Sequence, residues 1–589
     1  MPLLPLATVS FLLLDSGFSS GISILKCCSE LQCSWPFSLL ELSARMVLCA
    51  HLLDAVKEAE KATGCARVAG VPDCDRNRCF HERFRTFDGS CNNMRNPLLG
   101  AAFTPNSRLT PARYADGVNA IITAGRPSAR EVSHFLLSSR RSIPSPANSL
   151  LMQFGQFLSH DITKNAINNF CDCSTRDAEF PVCGTGRGNL PREQFNENSA
   201  YIDGSQIYGS DVKTATQLRQ GAFLRAEVVD GRVFPPNNRR DSMQTGDERS
   251  NLFVGLSALH TSWLRLHNNI AASLQNMNPS WDTERIYQET RKIVGACMQV
   301  ITYKEFVPTL LGGFSKLLQP YDNYNSNMNS GILNEFSTAA YRLHGMLQEF
   351  YPLLDAQFRQ TGSVSVVEGM FQLNRILESG LEHLYRGLIS IPARSPQRIT
   401  TSVTELIMSG EGDMASINIQ RGRDHGLPTY NEYRRICNLP KLQRFEEWAE
   451  VTDLEVRKRV ADLYGNPDNV DLYTGGVVEE PSNGSLVGPT FACIIAEQFV
   501  RLRDGDRLYF ERPGVFTQAQ RAALYPSHGF SVQLVIDLTP STPVPSQSTM
   551  VQMQSLVHPF LLLTFPHGDS RQSLPTHIQG HSIQGASQL

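Results

Sequence analysis

The stretch NSLLMQFGQFLSHDIT, residues 148–163, decides the fold class. Its apolar residues recur at helical spacing, and Asn148 or Ser149 is placed to cap the start. Gln156 and His160 lie four residues apart and share a face, while Asp161 points about 100° away. One face can serve a substrate and the neighbouring one a cation, although a lone helical histidine is more often structural than catalytic. Working outward, VGLSALHTSWLRLHNNIAASLQ (254–275) and DTERIYQETRKIVGACMQVITYKEFVPTLL (282–311) carry the same period. Further helical runs are expected near residues 129–138, 331–350, 366–387, 430–436, 453–464 and 488–503. Upstream, RFRTFDGSCNNMRNPLLGAAF (83–103) is rich in turn formers and reads as irregular. Strand signals are few and short, and no internal repeat is detected. The expectation is a mainly α protein with long loops.

The 589-residue chain is long enough to enclose a large core and an internal cofactor. Residues 76–527 contain no linker-like stretch and read as one domain. Residues 1–75 read as a signal-like segment with a cysteine-bearing extension, and 528–589 as a Ser, Pro, Gln and Thr-rich tail, disordered or divergent. A formal net charge of −3 gives no reason to expect nucleic acid or an anionic membrane surface. The 14 cysteines, dense at Cys27, Cys28, Cys33, Cys49, Cys65, Cys74, Cys79 and Cys91 and again at Cys171, Cys173 and Cys183, point to disulfides in an oxidising compartment. Zinc is the competing reading, but no matching pair of CxxC motifs supports it. The opening MPLLPLATVSFLLL followed by DSGFSSG has the apolar run and small-residue exit of a secretory signal, without a basic residue ahead of it. No later run reaches the roughly 20 apolar residues of a spanning helix. A secreted protein without a transmembrane segment is expected, with Asn483-Gly484-Ser485 as a glycosylation sequon.

Two further stretches carry chemistry. SAYIDGSQIYGS (199–210) offers Ser199, Asp203 and Ser205 at alternate positions with the Tyr201 carbonyl between them. Joined by Asp161, these oxygens suit calcium, which takes roughly six to eight such ligands, although a turn capped by hydroxyls reads equally well from the loop alone. INIQRGRDHGLPTYNEYRR (417–435) sets Arg, Asp and His beside a short apolar lead, as a buried polar network does; a surface charge cluster is the alternative.

GQFLSHDI, SAYIDGSQIYGS, TGDERSN, ERIYQETRKIVGACMQVITYKEFVPTLLG and INIQRGRDHGLPTYNEYRR, in this order across about residues 76–525, together resemble the signatures of the animal haem peroxidases, the myeloperoxidase and peroxidasin type. The resemblance implies a large helical domain with haem b buried among central helices. His160 resembles the distal histidine that moves a proton between the two oxygens of hydrogen peroxide, Gln156 the glutamine beside it, and Arg249 the arginine that stabilises developing negative charge. His344 in AAYRLHGMLQEFYPLLD resembles the proximal iron ligand, Asn418 the amide that accepts its second ring proton, and Arg421 and Arg342 the partners of the haem propionates. Asp161, Ser199, Tyr201, Asp203 and Ser205 match the family's calcium loop, and Cys437 and Cys493 a family disulfide. Cys297, in an apolar helical run, reads as a buried free thiol. His260, His267 and His425 take structural readings.

The sequence departs from the family pattern at three positions. Ser159 and Leu252 stand where mammalian members carry the carboxylates that esterify haem, so noncovalent haem is expected. The proximal motif Arg, any residue, Gly, His is here Arg342-Leu343-His344-Gly345. On a regular helix this order sets Arg342 and His344 about 200° apart. A local distortion is needed for both to serve, and an ungapped alignment puts Gly345 at the ligand position instead. The leading reading is a peroxidase that oxidises an organic or halide donor, crosslinking of tyrosines in extracellular matrix proteins included. A catalytically weak peroxidase-fold adhesion protein is the alternative, and a fatty-acid oxygenase a more distant one.

Overall fold

The computed structural model describes residues 72–165, 185 and 189–524. The signal-like segment, the C-terminal tail and Cys27, Cys28, Cys33, Cys49, Cys65, Cys171, Cys173 and Cys183 lie outside these described residues. The opening stretch forms α1, Ser149–Ile162. Asn148 is its cap, accepting from the Leu151 amide at 3.1 Å, while the Ser149 hydroxyl turns to the Pro392 carbonyl at 3.0 Å. The two longest helical patterns become α2, Val254–Met277, and α3, Thr283–Ile301. Asp282 caps α3 through the Arg285 amide at 2.7 Å, and a wide turn at Thr302–Phe306 carries the chain into Val307–Leu311. The helix α2 packs on both α1 and α3. At the first contact Phe157 stacks on Trp263, ring centres 5.9 Å apart, and both rings are fully buried.

Downstream, α4, Met414–Asp424, is capped by Asp413 at the Ser416 amide (3.0 Å), and α5, Pro489–Asp504, closes the helical body. His425 holds the end of α4 by a 2.7 Å hydrogen bond with Asn334, in the structural role expected of it. The strands form only two-stranded pairs among the described residues, so the fold is mainly α. Disulfides join Cys74 to Cys91 and Cys437 to Cys493, the second tying Tyr430–Ile436 to α5. Cys297 is a free thiol inside α3, and burial pushes its pKa up. Among the described residues no helix is long and apolar enough to cross a membrane.

Three expected helical runs are interrupted. Residues 129–138 split into Ala129–Val132 and a wider turn at Ser133–Leu137. The run expected at 331–350 winds only through Phe336–Ala340 and then breaks. Tyr341 and Leu343 leave helical geometry, His344–Met346 make a short tight turn, and Phe350–Leu354 pairs as a strand with Gln360–Ser365. The run at 366–387 divides at Gly380, whose φ of +79° separates Asn374–Ser379 from Glu382–Ser390.

Burial holds His260 and His267 in α2 neutral, each with its pKa pulled down to about 3. His267 is also bonded to Tyr208 at 2.9 Å and to the Ala222 carbonyl at 3.1 Å. Below pH about 6.5 the unfolded chain protonates these rings while the folded one does not, so stability falls with acidification. Each contributes a loss approaching about 1.4 kcal/mol per pH unit between pH about 6.5 and 3. The melting temperature in calcium-containing buffer is expected to fall steadily from pH 6.5 to 4.5, and replacing His267 by Gln is expected to flatten the decline. A flat profile in the unaltered protein contradicts the assignment.

Candidate active site

Helix α1 presents Gln156 and His160 to the interior on one face. Gln153 steadies Gln156 by an amide hydrogen bond of 2.9 Å, and Asn198 donates to the carbonyls of His160 and Asp161 at 2.5 and 3.1 Å. Arg249 comes from the turn Glu248–Asn251, whose cap is Asp247. Its guanidinium donates to the Asp247 carboxylate at 2.8 Å and to the carbonyls of Thr163 and His160 at 3.1 and 3.4 Å. Those carbonyls lie at the C-terminal end of α1, where acceptors and dipole favour a cation. Burial alone raises the Asp247 carboxyl, but the Arg249 charge and hydrogen bonds outweigh it and hold Asp247 well below the usual range. His160 is buried and its Nδ1 has no protein partner. Burial first, and the Arg249 charge second, keep its pKa well below 6.5.

On the opposite wall, the break after Ala340 places the His344 ring so that Nδ1 lies 2.9 Å from the side-chain nitrogen of Asn418 on α4. The Asn418 oxygen is buried without a hydrogen bond to protein. Turning this amide end for end sets its oxygen on the imidazole N–H, the arrangement the chemistry of the pair favours. His344 is enclosed by protein, which pulls its pKa down to about 3, yet it retains accessible surface, as a residue on the wall of an internal space does. Gly345 is not interchangeable with it. A Cβ there would sit 2.2 Å from the Pro396 carbonyl oxygen, so no side chain fits. Arg342 donates to the Ser337 carbonyl at 2.6 Å, and no carboxylate pairs with it among the described residues. Burial and Arg249 pull its pKa down to about 10, and its own charge in turn lowers His160 and His344. Because α4 carries Asn418 and Arg421 one turn apart, Arg421 lies on the same helix face.

Directly behind His160, Asp161 turns to the 199–205 loop and accepts the Ser205 amide at 2.6 Å and the Asp203 amide at 3.2 Å. The Ser205 hydroxyl donates to the Asp161 carbonyl, and the Ser199 hydroxyl to Asp203 at 3.1 Å. Both carboxyls are buried. Burial and the Asp203 charge push Asp161 well up, burial raises Asp203, and Asp203 Oδ1 has no hydrogen bond.

Residues 84–532 match the profile of the family "Animal haem peroxidase". The chain belongs to the animal haem peroxidase family. Peroxidase skpo-1 of Caenorhabditis elegans is 53% identical over 485 residues, spanning 78% of this chain and 74% of that protein. Peroxidasin of Drosophila melanogaster is 36% identical over 541 residues, spanning 78% of this chain but only 35% of the relative. Among solved structures, Peroxidase A from Dictyostelium discoideum superposes with a TM-score of 0.69 at 27% identity, over 78% of this chain and 98% of that one.

As an animal haem peroxidase the chain is an oxidoreductase whose family implies haem, hydrogen peroxide and a donor. The residues present fit a haem. His160 and His344 both feel the charge of the Arg342 guanidinium, no carboxylate pairs with that guanidinium among the described residues, and His160 Nδ1 is buried without a protein partner. Sequence reasoning missed three contributors. Asp247 was inside the TGDERSN motif, two residues ahead of Arg249. Asn198 and Gln153 carry no signal of their own, since an isolated amide in a turn or helix has many uses.

Proposed function

We propose that the chain is a secreted peroxidase that binds haem b noncovalently and calcium beside it, reduces hydrogen peroxide and oxidises phenols or halides. The observation that carries this reading is the clustering of His160, Arg249, Arg342 and His344: the Arg249 and Arg342 charges both lower His160, and Arg342 lowers His344. Haem, when bound, supplies the iron that takes the oxidising equivalents of the peroxide. His344 would ligate that iron, with Asn418 fixing the tautomer of the ring. Arg342 and Arg421 would hold the propionates, giving Arg342 the anionic partner it lacks among the described residues. On the distal side a neutral His160 takes the proton from one peroxide oxygen and returns it to the other, with Gln156 orienting water or a small anion. Arg249, fixed by Asp247, stabilises the negative charge that forms as the O–O bond breaks. A binding module needs none of this machinery, and the adhesion-protein alternative is therefore not favoured.

Secretion is supported by the two disulfides. Tyrosyl side chains of matrix proteins are the proposed macromolecular donor. The test is dityrosine formation from a tyrosine-containing peptide. Fluorescence that requires hydrogen peroxide and the haem-loaded chain is expected, and haem-loaded protein that consumes peroxide without product rejects phenol as donor.

Noncovalent attachment follows from Ser159, whose hydroxyl is bound to the Gln156 carbonyl at 2.7 Å, and from Leu252, which has no carboxylate. Acidified organic solvent is expected to extract all the haem. Haem that stays with the denatured polypeptide contradicts this.

Calcium is assigned to Asp161, Asp203, the Ser199 and Ser205 oxygens and the Tyr201 carbonyl. Two buried carboxyls in contact with one loop are an unstable pair without a cation between them. Asp203→Ala is expected to abolish stoichiometric calcium and to disturb α1 through Asp161. Unaltered calcium content in that variant removes the assignment.

A further inference from the structure

A partly open cavity, about 40 Å³, lies between the segment 83–85, α3 and Phe516. Ile202 and Asp203 form part of its wall, so it borders the loop assigned to calcium, whose other members Asp161, Ser199 and Ser205 do not line it. None of His160, Arg249, Arg342 and His344 lines it. Its wall holds four cationic side chains, Arg83, Arg85, Arg291 and Lys292, and one carboxylate, Asp203.

Pairing leaves positive charge over. Arg83 is bonded to Glu289, and Arg85 to Asp506 at 2.9 Å. Asp203 Oδ2 is engaged by the Ser199 hydroxyl and stands 3.6 Å from Arg85 and 3.9 Å from Arg291. Four cations therefore share three carboxylates. Lys292 is the one without an ion-pair partner among the described residues, its ammonium lying 4.8 Å from the centre of the Phe516 ring. Burial draws its pKa down to about 8, so the ammonium still carries its proton at neutral pH. Arg85 and Arg291, 9% and 4% exposed, each keep one buried guanidinium nitrogen, Nη1 and Nε, without an acceptor. Buried donors and charges in folded proteins are satisfied, and here both shortfalls are of acceptor and of negative charge.

We propose that this cavity is a binding site for one halide-sized anion, chloride or bromide, held by the Arg85 and Arg291 guanidiniums and the Lys292 ammonium. Its volume admits about three water-sized groups, room enough for one halide ion. A negative charge supplies the counter-ion that Lys292 lacks among the described residues. The bound ion bridges the 83–85 segment to α3 through Arg85, Arg291 and Lys292, so occupancy stabilises the fold and is independent of any halide oxidised at the haem.

The test uses the calcium-loaded holoenzyme, with melting temperature followed as sodium bromide replaces sodium gluconate at constant ionic strength. Gluconate is too large to enter. A rise that grows with the logarithm of bromide concentration, reaching about 3 °C at 100-fold above Kd, is expected for the unaltered protein. Lys292→Met, which keeps the length of the side chain and removes its charge, is expected to show none. Equal responses to the two salts, or equal responses of the two proteins, overturn the proposal. Bromide anomalous diffraction on the unaltered protein gives a second reading that does not depend on the variant folding. A peak between Arg85 and Lys292 supports the site, and a cavity holding only water rejects it.

Discussion

His160→Ala is expected to slow peroxide reduction by at least about 100- to 10,000-fold, the range that proton transfer by a positioned side chain supplies. That corresponds to about 2.7 to 5.5 kcal/mol of barrier. The loss should appear in the second-order reaction with peroxide and leave haem content unchanged, because His160 is not the proposed iron ligand. Its pH dependence has a definite sign. Burial and the Arg249 charge hold the imidazole well below its ordinary pKa, so the base is already neutral at pH 6.5 and is lost only on further acidification. The unaltered enzyme should therefore keep its rate between pH 8 and 6. A rate in His160→Ala equal to that of the unaltered protein would falsify the assignment, and a midpoint at or above pH 6.5 would assign proton transfer to another group. Asp247→Asn is a companion that loosens the Arg249 guanidinium and removes a charge that raises His160, and it is expected to slow the same step.

The second large effect concerns the transposed His344-Gly345 pair. His344→Gly is expected to abolish haem retention, and added imidazole to restore the haem absorption band by occupying the vacated space. Asn418→Leu, which removes only the partner of the ring, should cost about 10- to 100-fold in haem affinity or activity. Moving the histidine one position on, in the double variant His344→Gly and Gly345→His, should not rescue, because the Pro396 carbonyl occupies the place of the new Cβ. Full haem loading in that double variant would show that the ligand can come from either position and would remove the steric argument.

Much of this arrangement is legible in the amino-acid order. The face shared by Gln156 and His160 follows from helical spacing, and the helix is there from Ser149 to Ile162. The alternate oxygens of the 199–205 loop are visible in the sequence, although from the loop alone a hydroxyl-capped turn reads as well as a cation site. The proximal side is different. A periodic reading extends a helix through residues 331–350, and on such a helix Arg342 and His344 diverge. The chain instead breaks at Tyr341, and the cause is tertiary. Gly345 must pass beneath the Pro396 carbonyl, and Phe350–Leu354 must pair with Gln360–Ser365. Neither constraint is local, so neither shows in the periodicity. The same holds for Asn198 and Gln153, whose importance comes from the carbonyls and amides they meet. The Arg85, Arg291 and Lys292 cavity is also hidden, because Arg85 and α3 lie some 200 residues apart in the chain.

The most direct measurement is the absorption spectrum of the purified chain, expressed with haem supplied, before and after one equivalent of hydrogen peroxide. The account predicts a strong haem band that shifts on peroxide addition and returns when a donor is added. A chain that takes up no haem, or a haem band indifferent to peroxide, would contradict it.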